Sequence, residues 1–365
     1  MIMRHRFMHQ IGLLAGMLLF ISCHQPVEKH HYTLRQPVDT VGFAQYHWQM
    51  DSVMVRINRL FGEELNAVQE KEAAAKTVVS PHDDYAYVGW LYPAVLKHVK
   101  AKTVILIGVA HKARLLHLEN RIIFDSYDYW KEPYGNVKVS SLREDIMKAL
   151  PKDVYEVNDS MQKMEHSVEA LIPFLQYYNR DFEIVSILVP YMSYDRMEEI
   201  AKPLSGAIFK AAESKGWQWG KDYAIAISTD AVHYGDEDWG GKNFAYYGTD
   251  SSGYWQARAH EKEIIETLTG EVTPEEVREF TRYTVKEDDY KSYKWTWCGR
   301  YSVPFGLLTS YYLNKMEIGQ PLTGHFIGYA NSIDHPHLPV ADLSMGVTAP
   351  ANMHHWVGYA GVVYY

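Results

Sequence analysis

Residues 78–111, VVSPHDDYAYVGWLYPAVLKHVKAKTVILIGVAH, constrain the fold of this chain more than any other stretch. Two apolar, β-rich runs, TVVS and TVILIGVA, each lead to a histidine, and a helix-length segment, YVGWLYPAVLKHVK, lies between them. Strand, helix and strand in that order predict a βαβ unit whose strands are parallel neighbours or near neighbours. His82 and His111 would then emerge at the carboxyl ends of adjacent strands, the edge where open α/β sheets place ligands. Two imidazoles there form a natural nucleus for a metal site.

The 365 residues suffice for one large α/β domain or two smaller ones, and 47% hydrophobic content is ample for a core. With no internal repeat and no low-complexity linker, a single α/β domain with a mixed central sheet flanked by helices is expected. A formal charge of −9 argues against a nucleic-acid partner, which needs a basic face. The 18 histidines are too many for counting alone to identify a site.

The amino terminus reads as a targeting segment. Arg4, His5 and Arg6 form a basic region, and residues 11–21 form an apolar run too short for a stable membrane span. It ends in Phe20-Ile21-Ser22-Cys23, which resembles a bacterial lipobox with Cys23 as the lipidated residue. The expected organisation is a signal peptide over 1–23, a tether over 24–45 and a folded domain over 46–365. The protein would sit in the bacterial cell envelope, facing the periplasm, with the lipid as its sole membrane contact. Cys298 is the other cysteine, and if Cys23 carries lipid it has no disulfide partner within the chain.

From Tyr46 to about Ala75 the chain is helical in composition and period, so a helix or two is expected to cover the sheet before the first core strand. Beyond His111, the segment up to residue 140 reads as β-hairpin material with Tyr134-Gly135-Asn136 as its turn. Ser140 or Ser141 could cap a following helix. FEIVSILVP is a buried strand, an amphipathic helix ends at Gly216, and YAIAISTDAVHYG repeats the opening theme: an apolar strand delivers Ser228, Thr229, Asp230 and His233. Residues 236–256 are expected as a long loop, HEKEIIETLTG and TPEEVREFTRYTV as helices, and GHFIGYANSI and WVGYAGVVYY as closing strands. Cys298 lies in a Cys-Gly-Arg turn before another helix.

Apolar strand followed by ligand-type residues thus occurs three times, joined by an unpaired thiol. Pro81-His82-Asp83-Asp84-Tyr85, Gly108-Val109-Ala110-His111, Glu165-His166-Ser167, Ser228-Thr229-Asp230-Ala231-Val232-His233 and Cys298-Gly299-Arg300 stand in the order found in the Memo-like family, also called AmmeMemoRadiSam system protein B. The resemblance runs from about Thr77 to the carboxyl terminus and implies the fold of class III extradiol dioxygenases. It implies metal ligands at His82, His111 and Cys298, with Asp230 and His233 lining the same vestibule and His233 in the acid/base position. Glu165 and His166 would support the site or meet the substrate; Asp83, Asp84 and Arg300 would contact it. Three departures bear on the substrate pocket: Asp83-Asp84 for the usual Ala-Gly, Gly-Val-Ala-His for Gly-Pro-Ser-His, and Tyr301 where histidine commonly follows Cys-Gly-Arg.

Two imidazoles and a thiolate can hold one divalent or redox ion, iron or copper first and zinc as a third option. Sulfur in place of a carboxylate makes ring-cleaving oxygenation less secure. Redox or oxygen-dependent chemistry on a small molecule therefore stands beside two alternatives: non-catalytic metal or peptide binding, and metal-assisted hydrolysis with Asp83, Asp84 or Glu165 as base.

Overall fold

A computed structural model describes residue 1 and residues 32–69, 71–317 and 320–365. The expected signal peptide, Cys23 and residues 24–31 lie outside the described residues. Six long strands form the centre: β1 (Thr77–Ser80), β2 (Thr103–Val109), β3 (Glu183–Val189), β4 (Tyr223–Ser228), β5 (Thr323–Asn331) and β6 (His355–Tyr364). Their spatial order is β3-β2-β4-β1-β6-β5. The first four are mutually parallel, and β6 and β5 continue the sheet antiparallel, so the sheet is mixed.

Why these runs are strands on the inside of the molecule follows from their period of two. Val78, Val104, Leu106, Ile184, Leu188, Ala224 and Ala226 face one apolar layer. Their alternating neighbours Val79, Ile105, Ile107, Val185, Ile187, Ile225 and Ile227 face the other. Helix α1 (His47–Leu60) belongs to the first layer through Met50, Val53, Met54 and Ile57. The second layer holds α2 (Tyr194–Lys215), α3 (Ser251–Glu266), α4 (Pro274–Thr284) and α5 (Ser302–Met316). Gly216, in the left-handed region at φ 67°, ends α2 as expected. Among the described residues no helix is long and apolar enough to cross a membrane.

The opening βαβ unit has the expected parallel near-neighbour strands, but differs in the adjacency of their ends and in the crossover. β4 lies between β1 and β2, so their ends are one strand apart, with Val79 and Ile107 both registered on Ile227. Small and β-branched side chains buried on both faces suit β4 to the centre of the sheet. The crossover is also two short helices, Tyr85–Val88 and Leu91–Leu96, because Gly89 takes φ 53° between them.

Two further boundaries move. Asp250 caps α3, its Oδ1 accepting from Gly253 N at 2.8 Å, so the helix claims the end of the expected 236–256 loop. The tether expected over 24–45 is domain from Tyr32 onward: Leu34–Arg35 pairs in parallel with Tyr129–Trp130. Arg35, 1% exposed, meets Glu169 at 2.5 Å, donates to the carbonyls of Gln162 and Glu165, and lies over the Trp130 ring. An arginine in a polar, aperiodic stretch carries no pattern that announces such burial. The hairpin around Tyr134-Gly135-Asn136 forms as expected, Tyr129 pairing with Lys138.

Candidate metal centre

The carboxyl ends of β1, β4 and β2 bring His82, Ser228 with Asp230, and His111 to one sheet edge, and the turn before α5 adds Cys298. His82 is 1% exposed, Asp230 3% and Cys298 4%. His82 Nε2 stands 3.4 Å from Cys298 Sγ and 3.4 Å from Asp230 Oδ2. Donors bound at about 2.0–2.3 Å around a tetrahedral ion are separated by roughly 3.3–3.8 Å, so both spacings suit a shared ion.

The described residues form two overlapping groups of potential ligands. His82, Asp230 and Cys298 make one, and His82, His111 and His166 the other, each with its ligand atoms within 4.8 Å of one another. His82 belongs to both; the trio His82, His111 and Cys298 does not itself form such a group. The imidazoles of His111 and His166 stack with centroids 5.0 Å apart, and His82 stands perpendicular to both.

Hydrogen bonds select which nitrogen each imidazole presents. Ser228 Oγ gives its proton to the Ser167 carbonyl at 2.5 Å, so its 2.7 Å contact with His82 must be Nδ1–H donating to Oγ. Nε2 of His82 then carries the lone pair, facing Sγ and the carboxylate. Likewise Glu165 accepts from His111 Nδ1 at 2.9 Å and from its backbone N at 2.8 Å, leaving Nε2 of His111 to bind. Fixing a tautomer through the far nitrogen is how proteins orient metal-binding histidines.

Burial dominates the electrostatics. It pushes the Cys298 thiol well up, Asp230 adding to the effect, and holds His82 well below the usual imidazole range, with His111, His166 and His233 helping. Burial followed by Asp83 pushes the Asp230 carboxyl well above its normal value, though His82 N donates to it at 2.9 Å. Glu165 differs: burial opposes ionisation, but His111, His166 and the Ser167 N–H bring it down to about 2. A divalent cation favours the deprotonated thiol and carboxylate that burial alone disfavours. The donor set therefore fits a metal ion.

Other expected residues take different places. His233 starts a short strand paired with β6, is electrostatically coupled to His111, His166 and His82, and has a buried Nε2 with no protein partner. Asp83 accepts from the Tyr359 hydroxyl at 2.6 Å. Asp84, 1% exposed, binds the Thr348 backbone N at 2.5 Å and its hydroxyl, a structural set of partners. The guanidinium of Arg300 lies 3.5 Å from the Tyr293 ring centroid.

Glu261 was not singled out from the sequence and holds two parts of the site together. Its Oε1 accepts from the indoles of Trp295 and Trp297 at 2.6 and 2.7 Å, and its Oε2 from Val232 N at 3.1 Å. The segments bearing Cys298 and His233 are thereby pinned to α3. A lone glutamate within a charged helix offers no sequence signal for this.

Gly299 is sterically required. A Cβ there would fall 2.0 Å from Thr229 Oγ1 and 2.3 Å from its Cβ. Gly299→Ala is expected to destabilise the fold by about 1–3 kcal/mol through overpacking and to weaken metal binding by displacing Cys298. Urea unfolding and metal titration of the variant check both effects; unchanged values would mean the loop yields freely.

Comparison with known proteins agrees with this architecture. The family model described as Memo-like protein matches residues 42–340. A MEMO1 family protein of Pyrococcus abyssi is 31% identical over 166 residues, 43% of this chain and 52% of the relative. One from Aquifex aeolicus is 31% identical over 184 residues, covering 47% and 62%. A third, from Pyrococcus furiosus, is 24% identical over 278 residues, covering 70% of this chain and 85% of its own. The first two alignments thus span about half to three-fifths of those relatives, whereas the family model covers most of the chain. The chain belongs to the Memo-like family.

Proposed function

We propose that this protein is a non-haem metalloenzyme that uses one divalent or redox ion, iron or copper before zinc, for redox or oxygen-dependent chemistry on a small molecule. The observation that carries this reading is the pair of ligand groups sharing His82, whose Nε2 is freed by the Ser167–Ser228–His82 chain of hydrogen bonds. His82 would hold the ion with Asp230 and Cys298 in one group, or with His111 and His166 in the other, where Glu165 keeps His111 in place. The bound ion would supply Lewis acidity or electron transfer; His82, Asp230 and Cys298 are buried, while His111 and His166 are partly exposed and leave the site open to a substrate. The leader ending at Cys23 supports a lipid-anchored location in the cell envelope. Metal analysis of protein purified without added metal, followed by oxygen uptake over catechols and other phenols, tests the proposal. Protein free of bound metal would reject it.

His233 stands where an acid/base residue would act, with a buried Nε2 that has no protein partner. Burial, then His111, His355 and His166, lower its imidazole to about 3, so it is neutral at ordinary pH and would be a weak base unless the bound ion or substrate changes its surroundings. His233→Ala should retain the metal and lose roughly 10²–10⁴-fold in turnover, the usual worth of a positioned acid or base. Loss of metal from this variant would make His233 a ligand instead.

A further inference from the structure

Segments beside the metal-centre residues line an open cavity of about 370 Å³ that includes Arg114, Lys242, Lys286, Lys291 and Arg300. It flanks the centre on two sides of the chain: Arg114 follows His111 by three residues and Arg300 follows Cys298 by two. Tyr293, in the same lining, lies within electrostatic reach of Cys298.

The charge in this cavity is unbalanced. Among the described residues, Glu119 is the carboxylate within ion-pair distance of the five cations, and it pairs with Lys291. Asp289 also stands near Arg114 and Lys286, its carboxylate kept ionised by the Ser292 hydroxyl and the Lys291 N–H, so two carboxylates stand against five cations and positive charge remains in excess. Arg114 and Arg300 both donate to one acceptor, the Lys291 carbonyl, at 3.0 and 3.3 Å. Two guanidinium groups converging on one oxygen repel each other, and a neutral carbonyl offsets little of that. Arg300 is only 3% exposed, yet its buried Nε has no hydrogen-bond partner. A buried cation with an idle donor costs stability unless an anion completes it. Tyr191 beneath Arg114 and Tyr293 against Arg300 hold both groups in place by ring contact.

We propose that this cavity binds the oxyanion group, carboxylate or phosphate, of a small organic substrate whose other end reaches the metal centre. This rests on the metalloenzyme reading above. Guanidinium forks match planar carboxylates and phosphate oxygens, and Lys242 and Lys286 at the rim add charge without fixed geometry. The volume exceeds what an inorganic ion needs, leaving room for a carbon body against Phe244 and Tyr293.

The test titrates the metal-loaded protein calorimetrically with inorganic phosphate and, separately, with acetate. It compares wild type, Lys242→Ala/Lys286→Ala, Arg300→Lys, and Lys148→Ala on the Leu142–Ala149 helix as a charge control. Binding of either probe is expected, weakened roughly tenfold or more in the double variant and in Arg300→Lys, and unchanged in Lys148→Ala. Tighter phosphate binding would assign a phosphate monoester, tighter acetate binding a carboxylate. No binding of either probe, or binding insensitive to the lysines and to Arg300, would overturn the proposal. Metal content is measured on the same samples. Retained metal without anion binding defeats the cavity alone, whereas anion binding by metal-free protein defeats the metal centre alone.

Discussion

Alanine at position 82 is expected to remove bound metal and turnover together. His82 is the member common to both ligand groups, so its loss leaves Asp230 with Cys298 on one side and His111 with His166 on the other. Two donors on either side do not make a closed set for a structural or catalytic ion. The milder change Ser228→Ala keeps the imidazole but frees its Nδ1, and partners of this kind are worth about 10–100-fold in metal affinity. His82→Ala should exceed that, with metal absent after dialysis. Elemental analysis alongside circular dichroism separates loss of the ion from loss of the fold. A His82→Ala protein that keeps one equivalent of metal would show that the ion sits elsewhere.

Arg35→Ala is expected to lower stability by roughly 3–5 kcal/mol, the usual cost of removing one partner from a buried ion pair. Glu169 would remain buried beside the backbone N–H groups of Val38 and Asp39 with its cation gone. The effect should also reach the metal centre. Arg35 Nη2 donates to the Glu165 carbonyl at 2.6 Å, and the Glu165 carboxylate holds His111. A shift in the urea midpoint at constant slope measures the first effect, and metal affinity the second. An unshifted midpoint would mean that residues 32–39 unfold independently of the domain.

Much of the fold was legible because its evidence is local. Short apolar, β-rich runs marked β1 to β6, Gly216 marked the end of α2, and Tyr134-Gly135-Asn136 marked the hairpin. His82, His111, Asp230 and Cys298, which gather at the site, were legible too, since each follows a strand end or stands in a turn with ligand-type side chains. What local pattern does not contain is the order of strands across the sheet. An apolar run buried on both faces reads the same at any central position, so β4 lying between β1 and β2 was not foreseen.

That ordering decides the chemistry. With β4 central, Ser228 reaches His82 and Asp230 stands beside Cys298, which turns an expected trio of ligands into two groups hinged on His82. Glu261 and Arg35 belong to the same class of fact. Each is a buried ionisable side chain with partners 29 to 134 residues away along the chain: Val232, Trp295 and Trp297 for Glu261, and Glu169 for Arg35. The sequence by itself determined which strands exist and which side chains stand at their ends, because backbone period and side-chain chemistry are local properties. Only the tertiary structure decided which of those side chains stand close enough to share an ion, which nitrogen each histidine presents and which ionisable groups are buried together, because those depend on contacts that chain separation does not encode.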